Sequence, residues 1–425
     1  MQKFLARQPI FNGHRIVIGY ELLFRSSLEN FFPNAQPDLA AASTADNLFL
    51  FGVEQLTRGR RAFLNCTRDF IVRGYPALLP KDRVVLEVLE DAEIDDELIG
   101  ACRQLKKAGY MIALDDFRNI PEWRPLVALA DLIKVDVLVT PQQEQFRLAK
   151  KFSGSHVRLL AEKVETYDVF ERCSSWGFAY FQGYFFSKPQ MLTRHDIPAY
   201  KLNYLLVLQA ANRSKIDLQE IAERVKSEAS LSYRLLRYLN SPVFALVSEV
   251  HSIPHALALL GERGVRKWVS LVAIACMGED KPQELIVLPL IRARLCELLA
   301  YMARMDEFAD DFFLMGLLSA IDAILDMPMQ DVLKEIAVRE EIRDALLGAH
   351  NRFRQVVDVA LLYETGAWDG LDQAAARLGI DVQAIPDRFL AAVDWARKIL
   401  TGQRVEEPPP VADETAIPGA PAGTL

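Results

Sequence analysis

The sequence predicts a (β/α)-barrel followed by an all-helical half. Three observations carry that prediction. Short β-rich runs alternate with longer amphipathic segments as far as about Pro189. Several of those runs are continuously apolar, and beyond about Thr193 helical periodicity replaces them. A strand covered on both faces has no polar side to show, so it reads as Val84-Val85-Leu86 and Met111-Ile112-Ala113-Leu114 do. Strand–helix alternation repeated this often in so short a stretch fits a closed barrel better than an open sheet.

In chain order the predicted strands are Phe4–Phe11, Ile16–Phe24, Ala62–Cys66, Val84–Val88, Met111–Phe117, Leu132–Val137, Arg158–Val164 and Tyr180–Phe185. Helix-like stretches separate them at Ala40–Gly52, Asp95–Ala108 and Tyr167–Ser175. In the second half, Asp217 is placed to cap a helix at Leu218–Lys226, with Glu220 complementing its dipole. Ser232–Leu239 follows and stops at Asn240-Ser241-Pro242. Further helices are expected at Pro254–Leu260, Gly264–Met277, Ile291–Met305, Phe312–Leu325 and Asp387–Leu400. Residues 1–191 are assigned to the barrel, 192–402 to the helical domain, and 403–425, with Pro408-Pro409-Pro410, to a disordered tail.

The chain has 425 residues and is 51% hydrophobic, enough to bury more than one core. A formal charge of −8 argues against direct binding of a nucleic-acid polymer, which needs a basic face. An anionic small molecule stays open, because a metal ion can supply positive charge locally. Cys66, Cys102, Cys173, Cys276 and Cys296 are scattered without a CxxC spacing and read as buried reduced thiols. Arg7 and Gln8 cut short any signal-like run, and Arg266 and Lys267 interrupt the apolar Val265–Met277 stretch. No membrane span is expected, and the cytoplasm is the expected location.

Chemistry in such a barrel collects at the C-terminal ends of the strands. Glu21, Asn65, Glu87, Asp115, Asp116, Lys134, Glu162 and Gln182 lie in or directly after predicted strands. Taken singly, each acid reads as a turn residue or helix cap. The adjacent pair Asp115-Asp116 weighs more, because two carboxylates after an apolar strand repel unless something positive lies between them. If the barrel forms, the acids with Asn65, Lys134 and Gln182 converge as a hard-oxygen site suited to Mg²⁺ or Mn²⁺. Such an ion orients a phosphate and acidifies a bound water, as phosphodiester hydrolysis requires.

At these residues the chain resembles the EAL family of cyclic di-GMP phosphodiesterases. The naming motif reads Glu21-Leu22-Leu23-Phe24-Arg25, after Gln8-Pro9-Ile10. Leu64-Asn65, Glu87-Val88-Leu89-Glu90, Leu114-Asp115-Asp116-Phe117, Ile133-Lys134-Val135-Asp136, Ala161-Glu162-Lys163-Val164-Glu165 and Gln182-Gly183-Tyr184-Phe185-Phe186 follow in family order. The resemblance implies that Glu21, Asn65, Glu87 and Asp115 hold metal, with Asp116 between or beside the ions. It implies that Lys134 and Glu162 hold or activate the attacking water and that Gln182 is an outer contact. Arg25 would grip a substrate phosphate, and Glu90 would organise the loop after the acid pair. The implied reaction opens cyclic di-GMP to linear pGpG.

Three departures stand out. The Gly- and Ser-rich loop usual after the Asp pair is Arg118-Asn119-Ile120-Pro121-Glu122-Trp123-Arg124-Pro125 here. Lys163 replaces a Gly, and Leu22 stands where the family carries Ala. The second half resembles an HDOD domain, a relative of the HD phosphohydrolases, through Leu235–Pro242, Ser252–Leu257, Leu259-Leu260-Gly261, Val265–Val269 and Met315–Leu318. Where a catalytic HD protein has His-Asp, this chain has Ser319-Ala320, and Asp322 reads as a cap or surface residue. His251 and His255 share a helical spacing that Pro254 interrupts. The fold class is therefore an EAL-type, TIM-like barrel joined to an HD-related helical domain. Two readings follow: a phosphodiesterase with a regulatory helical half, or a degenerate adaptor that binds cyclic di-GMP or a protein without turnover. A protein partner on the HDOD half and a homodimer are implied by the same resemblance. A barrel enzyme for another phosphorylated metabolite would leave the motif order unexplained.

Overall fold

The computed structural model describes residues 4–25, 56–185, 199–213, 215–227, 231–235, 250 and 252–401. Eight strands close a barrel in sequence order. They are β1 (Phe4–Asn12), β2 (Val17–Arg25), β3 (Arg61–Cys66), β4 (Val84–Val88), β5 (Met111–Leu114), β6 (Leu132–Asp136), β7 (Arg158–Glu162) and β8 (Tyr180–Gln182). Every predicted strand is present. The expected parallel architecture holds for β2 to β8, but β1 runs antiparallel to both its neighbours. The cause is local. Only residues 13–16 join β1 to β2, and so short a connection reverses the chain, whereas parallel strands need a crossover. Asn12 Oδ1 fastens the turn by accepting from the N–H groups of His14 (2.9 Å) and Ile16 (3.0 Å).

Helices Asp96–Ala108, Gln142–Phe152 and Tyr167–Trp176 follow their strands. The first begins where Asp95 accepts from the Leu98 N–H, and it ends at Gly109 in the left-handed region. The stretch expected at Ala40–Gly52 and the 191/192 domain boundary lie outside the described residues.

Inside the barrel, Ile10, Phe63, Val85, Ala113, Leu132 and Leu160 form an apolar plug separate from the main core. Gly19 on β2 makes room for it, since a Cβ there would lie 2.6 Å from the Phe63 ring. Strand side chains alternate with period two. The next interior positions along β3 to β7 are therefore Asn65, Glu87, Asp115, Lys134 and Glu162. One dry layer beneath one polar layer is what this sequence pattern dictates.

The second half is helical in its described residues, from Ala199–Ala211 to Ile385–Thr401. Asp217 caps Leu218–Ser227 as expected, accepting from the Gln219 and Glu220 N–H groups. The two helices expected between Pro254 and Met277 are one run, Ile253–Met277, broken at Gly261 (φ 64°). Phe312–Leu325 divides into Ala309–Leu318 and Ile321–Leu325. The helix expected at Ile291–Met305 starts earlier, at Glu284, and runs to Met302. Most of its side chains are buried all round, so no amphipathic stripe marked its first turns. Its buried charges are paired: Arg292 with Glu364 (2.8 Å), Arg294 with Glu297 (2.7 Å), and Lys267 with Glu297 (2.7 Å). The stop at Asn240-Ser241-Pro242, His251 and the tail 403–425 lie outside the described residues. All five cysteines are buried and unbridged. Among the described residues no helix is long and apolar enough to cross a membrane.

The halves meet along β1 and β2. Tyr20, which points outward from β2, donates to Glu284 Oε1 (2.5 Å), and Arg58 reaches the same oxygen (3.2 Å). Gln8 Nε2 donates to the carbonyl of Thr365 (3.1 Å), the last residue of the Arg352–Thr365 helix.

Candidate active site

Each barrel strand delivers one polar side chain to the mouth. Cα pairing sets Gln8 of β1 opposite Glu21 of β2, and Asn65 of β3 opposite Glu87 of β4. Asp115 and Asp116 follow β5, Lys134 lies in β6, Glu162 ends β7 and Gln182 ends β8. The apolar plug closes the barrel below them, so the layer is open only at the top.

Lys134 is the centre of this layer. It is fully buried, and its Nζ lies 2.8 Å from Asp115 Oδ1, 2.9 Å from Glu87 Oε1, 2.9 Å from Glu162 Oε1 and 3.3 Å from Glu21 Oε2. Among the described residues no three acids are placed to hold a metal ion as they stand, and four of them converge instead on this ammonium. One positive charge cannot neutralise four carboxylates, so protons or cations must supply the rest. Burial disfavours the charge on Lys134, but the surrounding acids outweigh it and hold its pKa well above the usual lysine range. Glu87 is pushed well above the carboxylate range by burial and by repulsion from Glu21, Asp115 and Glu162. Burial also raises Asp115, and it pushes Glu162 up to about 8. Glu21 goes the other way. Burial would raise it, but Lys134 and hydrogen bonds from Gln182 (2.7 Å) and Asn65 (3.2 Å) outweigh burial and lower it.

The oxygens left over are the test of whether a cation fits. Asn65 spends its amide N–H on Glu21, which leaves Oδ1 buried without a partner. Both Glu87 oxygens lack a well-aligned hydrogen bond, although Oε1 lies within ion-pair distance of Lys134. Asp116 Oδ1 is likewise buried and unpartnered, on a residue held at φ 38°. Hard, unsatisfied oxygens around excess negative charge are the donor set of Mg²⁺ or Mn²⁺. The residues fit such an ion. The mouth opens into a cavity of about 330 Å³ lined by Gln8, Glu21, Asp115, Asp116, Glu162 and Gln182, with Lys163 and Tyr184 at its edge.

The structure thus brings together Glu21, Asn65, Glu87, Asp115, Lys134, Glu162 and Gln182, with Asp116 lining the same cavity. Glu90 is not among them. It stands exposed in the turn after β4. The Arg25 backbone ends β2, but its side chain lies outside the described residues. Gln8, for which the motif implies no role, accepts from Gln182 Nε2 (2.9 Å) at the rim. Alternation along β1, with Ile10 in the plug, was the signal that pointed Gln8 inward. Lys163, where the family has Gly, adopts φ 55° and pairs with Asp136 beside the mouth.

The loop after Asp116 is ordered by aromatic packing instead of glycine turns. Phe117 and Trp123 are buried edge to face (centroids 5.7 Å), and Phe117 also meets Phe152. Pro121 and Pro125 open a 3₁₀ turn and a short helix, where no amide donor is required. In the helical half, Ser319 Oγ accepts from Arg292 (2.6 Å) and donates to the Gly316 carbonyl (2.6 Å). Asp322 sits in the first turn of Ile321–Leu325, accepting from the Ala323 N–H.

The EAL domain model matches residues 61–189 and the HDOD domain model residues 197–353. The EAL match therefore begins after Glu21. The uncharacterized protein YuxH of Bacillus subtilis is 34% identical over 409 residues, covering 94% of this chain and 99% of its own. The cyclic di-GMP phosphodiesterase CdgJ of Vibrio cholerae is 30% identical over 400 residues, covering 93% of each chain. Klebsiella pneumoniae BlrP1, solved as a calcium/cyclic di-GMP complex, is 22% identical over 44% of this chain and 56% of its own, with a TM-score of 0.38.

Proposed function

The chain belongs to the proteins that join an EAL domain to an HDOD domain, and from that premise we propose that it is a metal-dependent phosphodiesterase hydrolysing cyclic di-GMP to linear pGpG. The observation that carries the reading is the mouth itself, where four carboxylates surround one buried ammonium and hard oxygens are left without partners.

Glu21, Asn65, Glu87 and Asp115 would hold Mg²⁺ or Mn²⁺, with Asp116 beside them. When bound, the ion supplies charge stabilisation at the phosphate and acidifies water. The chain's own groups do the rest. Gln182 and Asn65 fix both oxygens of Glu21 by hydrogen bonds. Lys134 holds Glu162 at 2.9 Å, and the Glu162 carboxylate accepts the proton of the attacking water. Attack at one phosphorus breaks one P–O3′ bond, the leaving oxygen takes up a proton, and the ring opens. Arg25 is proposed to grip a phosphate oxygen. The same reading places the protein in the cytoplasm, with a protein partner on the helical half and self-association as its expected assemblies.

A turnover assay with Mn²⁺ and with Mg²⁺ tests it. Release of pGpG is expected with metal and is lost on chelation, and Glu21→Ala should lower kcat at least about a hundredfold, as removal of a metal's oxygen donor does. Tight binding of cyclic di-GMP without pGpG release under either metal would overturn the enzymatic reading in favour of an adaptor.

A further inference from the structure

Gln8 is a mouth residue that also hydrogen-bonds to the helical half. Its Oε1 accepts from Gln182 Nε2 at 2.9 Å, and the same Gln182 nitrogen donates to Glu21 Oε2 at 2.7 Å. Its Nε2 donates to the Thr365 carbonyl at 3.1 Å. That carbonyl ends the Arg352–Thr365 helix, whose final carbonyls lack intrahelical donors and take them from elsewhere. An amide side chain suits the place, because it must accept on one side and donate on the other.

The helix end is itself braced. Arg292 makes a two-pronged pair with Glu364, the residue before Thr365, at 3.0 and 2.8 Å, and its remaining nitrogen reaches Ser319 Oγ at 2.6 Å. Arg292 and Glu364 are both buried, so the pair is held by packing as well as charge. Beyond Thr365, Gly366 turns at φ 69°, and a Cβ there would lie 2.9 Å from Leu23 Cδ1 on β2. Helix end and barrel rim thus meet at Gln8 on β1 and again at Leu23 on β2.

We propose that Gln8 is a positioning residue through which the helical half sets the active site, by tying Gln182 and hence Glu21 to the end of the Arg352–Thr365 helix. This rests on the phosphodiesterase reading. A shift of that helix, as a partner bound to the helical half would cause, frees Gln8 and lets Glu21 lose its orientation toward the cation. The arrangement gives the helical half control of turnover without placing a residue on the substrate.

The test uses the full chain and reads Mn²⁺ affinity by calorimetry beside kcat and KM. Gln8→Leu removes both hydrogen bonds at the rim. Gly366→Val, in the other domain, forces a β-branched side chain into a left-handed position against Leu23. Both are expected to weaken Mn²⁺ binding about tenfold, the low end of the cost of disturbing the hydrogen bonds that orient a metal ligand. Both should lower kcat more than they raise KM. Gln8→Met keeps the length and neutrality but offers neither an oxygen to Gln182 nor an N–H to Thr365, and it should show the same loss. If Gly366→Val does not fold, the two Gln8 variants decide. Variants that bind Mn²⁺ and turn over as the wild type does overturn the inference alone. A wild-type chain that binds no Mn²⁺ overturns the phosphodiesterase reading and this inference with it.

Discussion

Lys134 shows how one residue can hold a barrel mouth together before any cation arrives. Its ammonium is buried among four acids, and burial, together with the charge it leaves uncompensated, raises the pKa values of Glu87, Asp115 and Glu162. Glu162 gives this a measurable consequence in the metal-free chain. Burial pushes its folded pKa to about 8, above the ordinary value of 4.5. Between those values the folded chain keeps a proton that the unfolded chain has released, so stability falls as pH rises through that window. The melting temperature of the metal-free protein is therefore expected to drop between pH 6 and about pH 8, and Glu162→Gln, which has no proton to lose, should flatten the drop. Scanning fluorimetry in the presence of chelator reads it. An unchanged slope in the variant would remove Glu162 as its source. Added Mn²⁺ should offset the drop, because an ion that binds only the folded chain stabilises it.

At the scale of elements, the strands were legible because burial on both faces writes itself as unbroken apolar runs. Each mouth residue could be found by its place at the end of such a run. Gln8 was harder, since β1 enters the barrel antiparallel and its inward side chain sits at the middle of the strand. The Glu284–Met302 helix began earlier than expected because burial on all sides erased its stripe. The loop after Asp116 was legible only as a departure from the family's sequence. Its two prolines occupy turn and helix starts, and order comes from the Phe117–Trp123–Phe152 cluster, which joins residues too far apart in the chain for a local pattern to show. That cluster carries a prediction. Trp123→Ala should cost about 3 kcal/mol of stability in urea melts, as large-to-small changes at buried aromatics do. Because Phe117 directly follows the acid pair, it should also weaken Mn²⁺ binding in calorimetry. Loss of stability with unaltered Mn²⁺ affinity would confine the cluster to a packing role.

For the whole molecule the informative contact is the one between Tyr20 and Glu284, because it couples the back of β2 to the first turn of the central helix. Alternation along β2 sends Glu21 into the mouth and Tyr20 out to the helical half, so neighbouring residues serve the site and the domain contact. No sequence pattern foretold this pairing, since it joins residues 264 positions apart. Glu284 is nearly inaccessible, its Oε1 takes both Tyr20 and Arg58, and its Oε2 has no hydrogen-bond partner. A cavity of about 450 Å³, lined by Arg15, Arg58, Arg60 and Lys281 from the two sides, opens beside it. Removing the phenol therefore leaves a buried carboxylate with one donor fewer, an imbalance that costs about 1–3 kcal/mol. Tyr20→Phe should lower the unfolding free energy measured in urea by that amount. Glu284→Gln, which can still accept from Tyr20, should lose only the charge interaction with Arg58 and cost less. If the two halves are coupled through this contact, the loss in Tyr20→Phe will be read equally by the slowly exchanging amides of the barrel strands and of the helical half, followed by hydrogen exchange in the otherwise unaltered chain. A shift confined to the barrel signals would mean that the two halves unfold independently and that the contact stabilises only its own side.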